Sequence, residues 1–207
     1  MTEKSVKARP RSRDADFDER YYRRFYGSKR TRVYDAEEAA CLGSALAGLV
    51  GRYGGRLRSI LEVGAGTGLL RDWFRSNRPS ARYLSTEWSE HACVTYGHVR
   101  QDIARWRAKQ TFDLVICQGV LPYLSDEDAS RAMDNLYAMT RGFLYLEAVT
   151  RQDYLAVCDR ARTDPRMRFR SGRFYRTRLR PRFVALGGGL YYRRDGSLQF
   201  YELETSR

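Results

Sequence analysis

Cysteine and histidine are scarce in this sequence. The 207 residues include four cysteines and two histidines, and no two cysteines form a C-x-x-C pair. A structural zinc site needs about four such ligands at short spacing, and a disulfide framework needs several closely spaced cysteines. We therefore expect neither a metal site nor a disulfide framework, and a reducing compartment is the simpler assumption.

Long apolar runs are also missing. No stretch approaches the roughly 20 apolar residues that a membrane-spanning helix requires. The first residues, MTEKSVKARPRSRD, are basic and lack the apolar stretch of a secretory signal. We expect a cytoplasmic protein with no membrane segment.

Lysine contributes little to the positive charge. Four of the 38 basic residues are lysine, and the net charge of +13 lies at the two ends: residues 1–34 carry +6, residues 35–150 carry −1 and residues 151–207 carry +8. Residues 166–182, RMRFRSGRFYRTRLRPR, contain eight arginines interleaved with aromatic residues. Arginine binds phosphate and carboxylate in a bidentate way. The segment therefore indicates either a surface for an anion or nucleic acid, or a solvated basic face.

The glycine-rich residues 60–69, ILEVGAGTGL, are the most informative stretch. An apolar run typical of a strand passes directly into three glycines at every second position. Glycine can take positive φ and has no Cβ to keep a ligand from the main chain. A helix that begins near Leu69 would direct free N–H groups at that ligand. A dinucleotide fingerprint requires glycine where this chain has Leu69, which argues against an NAD-linked oxidoreductase.

Three further patterns follow at the intervals of a nucleoside site. Glu87 follows the strand-like run ARYLST, one helix and one strand after Glu62, where an acid meets ribose hydroxyls in doubly wound folds. Trp88 comes next and offers a flat face for a base. The run HVRQDI carries Asp102, and the apolar strand FDLVICQ leads into GVLPYL.

Together these patterns resemble the class I S-adenosylmethionine (SAM)-dependent methyltransferases of bacterial small-molecule type. Motif I of that family is E/D-x-G-x-G-x-G, with Glu62 here as the acid, and the resemblance covers roughly residues 57–150. It implies an α/β fold: a Rossmann-like, doubly wound, seven-stranded and mostly parallel sheet with an antiparallel C-terminal hairpin. It also implies in-line transfer of a methyl group from SAM to an O, N, S or C atom of a small molecule, with S-adenosylhomocysteine (SAH) as the product.

The resemblance further implies which residues form the site. Those implied to bind the cofactor are Glu62, Gly64, Ala65, Gly66, Gly68, Glu87, Trp88, Gln101, Asp102, Ile103, Gln118 and Gly119. In open α/β sheets the acceptor lies beyond the carboxyl ends of the strands. The substrate-binding candidates are accordingly Tyr22, Tyr26, Arg30, Tyr123 and Asp153, and the catalytic candidates are Glu147 and Tyr22. A packing or ion-pair role is at least as compatible with each of them.

The chain divides into three predicted regions. Residues 1–16 are a basic tail expected to be disordered, residues 17–56 a helical lid and first helix, and residues 57–207 the SAM-binding domain with a basic, substrate-side C-terminal segment. Residues 21–32 and part of 153–175 are expected to line or close over the substrate pocket.

Sequence signals also predict individual elements. Helices are predicted at 35–53, 69–77, 89–96, 126–140 and 151–163, with Gly142 as the stop after the fourth. Residues 183–193 and 198–203 are predicted to pair as a hairpin through Asp195-Gly196, with the glycines at 187–189 marking a bulge or a tight packing point.

Two alternative functions stay open on the sequence. An RNA methyltransferase is favoured by the basic flanks but disfavoured by GVLPYL, which lacks an N-P-P-Y-like run. A non-catalytic binding protein with the same fold is disfavoured by the set Glu62, Glu87 and Asp102. For a small-molecule enzyme, the basic flanks favour an anionic acceptor that pairs with Arg30 or Arg32.

Overall fold

The computed structural model describes residues 16–206. They form one seven-stranded sheet, with the strand order β3-β2-β1-β4-β5-β7-β6, and the helices around it. The strands are β1 (Ser59–Val63), β2 (Arg82–Glu87), β3 (Val99–Arg100), β4 (Phe112–Gln118), β5 (Thr140–Glu147), β6 (Phe183–Gly187) and β7 (Leu190–Arg193). β1 to β5 are parallel, and β7 runs antiparallel to both β5 and β6. The predicted fold class is confirmed.

Seven α-helices accompany the sheet in residues 16–206. They are α1 (Glu19–Tyr22), α2 (Ala36–Arg52), α3 (Leu69–Asn77), α4 (Glu90–Tyr96), α5 (Asp126–Met139), α6 (Arg151–Ala156) and α7 (Gly172–Leu179). A π-helical turn, Arg23–Gly27, continues α1, and 3-10 turns occupy Leu121–Tyr123 and Glu202–Glu204. The predicted start of α2 is confirmed, because Asp35 and Glu38 form a reciprocal capping box.

The sheet is buried on both faces, which explains the continuous apolar runs in its central strands. On one face Leu136 and Met139 of α5 and Leu179 of α7 pack against β4 and β5. On the other face α2 and α3 contribute the packing side chains, such as Val50 and Phe74. Parallel strands held in this way present their carboxyl ends together at one edge of the sheet.

The antiparallel C-terminal hairpin is present, but the predicted position of its turn was wrong. The turn between β6 and β7 is formed by the glycines at 187–189, all with positive φ, and residues 198–203 form no strand. A Cβ on Gly189 would lie 3.0 Å from the Leu146 carbonyl oxygen, so the close approach to β5 requires glycine there. Asp195 pairs with Arg193 beyond the end of β7, and Asp195-Gly196 lies outside the sheet.

Helix boundaries were also misjudged in two places. α6 ends at Ala156 and not near residue 163, because the chain turns back so that Asp164 is buried. Gly142 does not stop a helix; it lies within β5, which starts directly after α5. Part of the basic segment forms α7, whose Tyr175 and Leu179 are buried. The tail predicted over residues 1–16 lies outside the described residues except for Asp16.

Candidate active site

A cavity of about 400 Å³ opens at the carboxyl ends of β1, β2 and β4. Two parts of its wall differ in composition. The glycine half is formed by residues 62–67, 69, 87–88, 101–103 and 118–119, and the tyrosine half by residues 16–17, 21–22, 25–26, 33–34, 123, 162–164 and 166–167. The two halves differ in how their polar groups are held in place.

The glycine turn follows β1 and has a backbone shape that requires glycine. Gly64 and Gly66 have φ angles of 74° and 56°, a region that is unfavourable for residues with a Cβ. A Cβ on Gly64 would also lie 2.1 Å from Val120 Cγ2. The N–H groups of Gly64 and Ala65 donate to the Thr86 carbonyl at 2.9 and 3.1 Å. The turn is thereby fixed against the end of β2.

Glu87 ends β2 and joins that strand to the glycine turn. Its Oε2 accepts the N–H of Gly66 at 2.9 Å, and its Oε1 accepts the N–H groups of Trp88 and Ser89 at 2.6 and 3.2 Å. Burial raises the pKa of this carboxyl, and the three N–H donors oppose the rise. A carboxylate has about four lone-pair sites, so Glu87 keeps accepting capacity in a fixed direction.

Glu62 lies beside this unit on β1 and is buried, with 6% exposure. Its Oε2 accepts the Tyr83 hydroxyl at 2.9 Å. Burial raises the pKa of Glu62 to about 8, although the hydrogen bond from Tyr83 and the charge of Arg71 lower it. The carboxyl is therefore largely protonated at neutral pH, and it can donate as well as accept a hydrogen bond.

Side chains that the motifs did not indicate support the glycine turn from beneath. His98 Nε2 lies 3.1 Å from the Gly66 carbonyl, and its Nδ1 lies 2.9 Å from Ser85 Oγ. The buried Arg71 reaches His98 Nδ1 at 3.3 Å and contacts Gly68, which begins α3 with a φ of 80°. Burial and the guanidinium lower the pKa of His98, so a neutral ring donates from Nε2 to the turn. Gly68 itself lies outside the cavity lining.

The side of the cavity predicted to hold a base is lined by Trp88, Gln101, Asp102 and Ile103. Trp88 Nε1 is buried and has no hydrogen-bond partner among residues 16–206. Asp102 accepts the N–H of Ala104 at 2.9 Å and pairs with Arg105. A buried donor without a partner is uncommon in proteins, so a ligand could supply the acceptor for the indole.

The ends of β4 and β5 meet at the boundary between the two halves. Gln118 Nε2 donates to Glu147 Oε2 at 3.2 Å, and the Tyr145 hydroxyl donates to the same oxygen at 2.9 Å. Gly119, with a φ of 69°, donates its N–H to the Glu147 carbonyl. Glu147 is exposed on the cavity side, with its carboxylate oriented by two neighbours.

Tyrosines dominate the other half. The rings of Tyr22 and Tyr26 stack with centroids 5.5 Å apart. The Tyr21 hydroxyl lies 3.1 Å from that of Tyr123, which donates to Asp164 Oδ2 at 3.2 Å. Burial is the main cause that raises the pKa of all four phenols. They are therefore neutral hydroxyls at physiological pH.

Asp164 and Arg166 complete this half, and the sequence motifs indicated neither. Asp164 is 3% exposed, and Arg166 donates to it from Nη2 at 2.8 Å and from its backbone N–H at 3.0 Å. Burial raises the pKa of Asp164, but the hydrogen bonds and charge of Arg166 outweigh it and the net pKa is lowered. Arg162 Nε donates to the Arg32 carbonyl at 2.8 Å and ties the N-terminal segment to this one.

Two predicted substrate residues lie outside the cavity lining. Arg30 is exposed on the loop after the π-helical turn. Asp153 accepts the N–H and Oγ–H of Thr150 and caps α6, so its carboxylate already has a structural role. Arg32, considered for pairing with an anion, forms an ion pair with Asp35 at 2.7 Å.

Much of the basic segment packs against the rest of the chain. Arg170 is buried and donates to Asp126 at 2.8 Å and to the Leu121 carbonyl at 2.9 Å. Arg178 covers the Phe174 ring at 3.9 Å. With Arg166 and with Arg182, which pairs with Asp134, four of the eight arginines make internal contacts. This favours a structural role for them over a continuous phosphate-binding face.

Two further features are missing from residues 16–206. No cluster of three or more His, Cys, Asp or Glu side chains there could hold a metal ion. In the same range, every helix is too short or too polar to cross a membrane.

No protein-family model matches the chain, and no curated protein matches it in sequence. Solved structures do match it. Magnesium protoporphyrin IX methyltransferase from Synechocystis, solved with SAH, has a TM-score of 0.56 at 18% identity over 88% of this chain and 95% of that one. The plantazolicin methyltransferase, also solved with SAH, has a TM-score of 0.58 at 13% identity over 84% of this chain and 74% of that one.

A SAM-dependent methyltransferase from Clostridium acetobutylicum matches with a TM-score of 0.50 at 15% identity over 64% of this chain. The chain spans 58% of the length of that protein and 55% of a further match from Streptomyces venezuelae. These structural matches, at 13 to 18% identity, establish the fold. The chain has the fold of the class I SAM-dependent methyltransferases.

Proposed function

We propose that this chain transfers a methyl group from SAM to a small-molecule acceptor. The observation that carries the proposal is the hydrogen bond from the Gly66 N–H to Glu87. It makes the glycine turn and the acid at the end of β2 one rigid unit at the edge of the cavity. This pairing is the arrangement by which doubly wound folds hold an adenosine ribose.

The residues of the glycine half have the polarity that SAM would require. Glu87 would accept the ribose hydroxyls, and Trp88 and Ile103 would flank the adenine. Glu62 and the backbone at Gly119 would lie at the methionine end. The buried Tyr34 hydroxyl, like the Trp88 indole, lines the cavity without a hydrogen-bond partner in the described part of the chain. Both would gain one from a polar ligand.

The chemistry asked of the protein is mainly alignment. When bound, SAM supplies an electrophilic sulfonium methyl group with a good leaving group. Holding the acceptor in line with it can contribute up to roughly 7 to 11 kcal/mol. The aromatic side chains of the tyrosine half would exclude water from that contact.

Of the two catalytic candidates, Glu147 is the better placed to accept a proton. It is exposed at the boundary between the halves, and its carboxylate is oriented by Gln118 and Tyr145. Tyr22 is buried and stacks with Tyr26 and against His91, with ring centroids 5.5 Å apart in each pair. Tyr22 is therefore better explained as part of the wall.

The proposal is tested by two measurements on the full chain. Calorimetric titration with SAH should show binding, and labelled SAM incubated with a metabolite extract and with total RNA should label a small molecule. Label in RNA would favour the RNA methyltransferase, and SAH binding without any turnover would favour the non-catalytic alternative. No SAH binding at millimolar concentration would overturn the cofactor assignment.

A further inference from the structure

A row of hydroxyls crosses the tyrosine half and ends on a buried carboxylate. Tyr21 and Tyr123 are 3.1 Å apart at their hydroxyls, and Tyr123 donates to Asp164 Oδ2 at 3.2 Å. The Tyr26 ring lies beside that of Tyr21, with centroids 6.3 Å apart, and its hydroxyl lies 3.5 Å from where a Cβ on Gly66 would be. The row therefore begins at Tyr21, close to the ring that borders the glycine turn, and ends at Asp164.

Asp164 fixes the direction of every hydrogen bond in this row. Arg166 donates to both of its oxygens, so the carboxylate is ionised and can accept only. The Tyr123 proton must then point at Asp164, which leaves lone pairs on the Tyr123 oxygen. Tyr21 therefore donates to Tyr123, and the Tyr21 oxygen, which lines the cavity, keeps lone pairs that can accept.

The arginine at the end of this row is already in an ion pair. In the described lining the arginines are Arg162 and Arg166. Arg166 pairs with Asp164 and donates to the Asp16 carbonyl, so an anion bound there would have to displace an ion pair. Arg162 is exposed and donates to the neutral Arg32 carbonyl. An anionic group at Tyr21 would meet oxygen lone pairs, which disfavours it at that position.

We propose that the acceptor presents an O–H or N–H donor to the Tyr21 oxygen, so that a phenol, alcohol or amine group, and not a carboxylate or phosphate, lies against Tyr21. The inference rests on the proposed function. In the transfer step a lone pair of the acceptor heteroatom would form the new bond to carbon, and the carbon–sulfur bond would break with its electron pair going to sulfur. The acceptor proton would pass to the Glu147 carboxylate, which is exposed at the edge of the cavity.

This arrangement also separates substrate from product. A methylated phenol has lost its O–H, and a site built to hydrogen-bond a hydroxyl discriminates strongly against an analogue without one. Tyr21 is thus a specificity-determining residue, and Tyr123 and Asp164 are positioning residues that act through it.

Three probes of similar size test whether the Tyr21 oxygen accepts a hydrogen bond. Phenol can donate one, whereas anisole and benzoate can only accept. Their binding to the SAH-saturated full chain is measured by ligand-observed NMR, after SAH binding itself has been confirmed by calorimetry. Phenol should bind at least about tenfold more tightly than anisole and benzoate, the ratio expected for one directional hydrogen bond.

The variants make the test specific. Tyr123→Phe removes the acceptor that holds the Tyr21 proton, so that proton can turn toward the cavity and the phenol preference should fall to near one or invert. Tyr21→Phe should remove the preference without inverting it. Tyr191→Phe, on β7 and outside the cavity lining, is the matched control and should keep the wild-type ratio.

Several outcomes would overturn the inference. They are tighter binding of benzoate than of phenol, an unchanged ratio in Tyr123→Phe, and no binding of any probe to the SAH complex at millimolar concentration. With SAH binding intact, these results count against the polarity alone. Absence of SAH binding would instead remove the proposed function and this inference with it.

Discussion

The two halves of the cavity are stabilised by different parts of the polypeptide. In the glycine half, backbone groups make the decisive hydrogen bonds: Gly66 to Glu87, and Gly64 and Ala65 to Thr86. In the tyrosine half, side chains make them, and Tyr21, Tyr123 and Asp164 come from three distant parts of the chain. A site held by backbone leaves a local sequence motif. A site assembled from distant side chains does not.

The two halves also differ in how freely their residues can be substituted. The glycine turn is bonded to β1 and β2, and positive φ angles at Gly64 and Gly66 restrict what can replace them. The N-terminal segment is attached through aromatic contacts and single hydrogen bonds, such as that of Arg162 to the Arg32 carbonyl. We expect substitutions in the first half to affect folding and cofactor binding, and those in the second to affect acceptor choice.

The largest expected effect is at the glycine turn. Gly64→Ala should lower the free energy of unfolding by roughly 2 to 5 kcal/mol, because it combines backbone strain with a clash. Gly188→Ala is the matched control: its φ is also positive, 54°, but nothing lies within 4 Å of its Cβ position, so only strain of about 1 kcal/mol is expected. Denaturant unfolding measures both. If both variants lose the same free energy of unfolding, the clash of the new Cβ with Val120 contributes nothing.

A pH series tests the burial of Glu62. The folded chain retains the Glu62 proton up to about pH 8, whereas an ordinary glutamate releases it near pH 4.5. The raised pKa of Glu62 contributes to the free energy of unfolding. That contribution is fully present below pH 4.5 and is lost as the pH rises through 8. Glu62→Gln should therefore gain stability relative to the wild type between pH 5 and 8, on the order of 3 kcal/mol. If the denaturant midpoints of the wild type and of Glu62→Gln change equally with pH across this range, Glu62 is ionised in the folded protein.

Glu87→Gln should weaken SAH binding without unfolding the chain. The amide cannot accept from the turn and from Trp88 and Ser89 at once, because one of its two ends is a donor. The expected loss is roughly 1 to 3 kcal/mol of binding free energy, measured by calorimetry. Glu127→Gln, an exposed glutamate on α5, is the control. If the Glu87 variant binds SAH as tightly as the wild type, the ribose is not bound by this acid.

The smallest effect belongs to the link within the tyrosine half. Arg162→Met removes the donor to the Arg32 carbonyl, an exposed hydrogen bond, and should lower the unfolding free energy by about 0.5 kcal/mol. Hydrogen exchange of residues 19–33 should quicken while that of β1 and β2 stays the same. Faster exchange in both regions would show that the halves are less independent than their contacts indicate.

Most of the glycine half could be predicted because its signals are local. The spacing of the glycines after β1 and the acid after β2 follows from a strand, turn and helix that repeat within a short stretch of chain. The support from His98 and Arg71 could not be predicted, since a buried histidine at the start of a strand gives no pattern that distinguishes packing from catalysis.

The sequence by itself therefore determined the sheet, the order of its elements, the capped start of α2 and the glycine turn, since each depends on hydrophobic period, capping and backbone freedom within a few residues. Only the tertiary structure decided where the C-terminal hairpin turns, where α6 ends, and that Asp164 and Arg166 face Tyr21 and Tyr123. Those features depend on which side chains meet across the fold. The sequence predicted only that a helix would end before Asp164, whereas the fold buries this carboxylate beside the Arg166 guanidinium in the cavity wall.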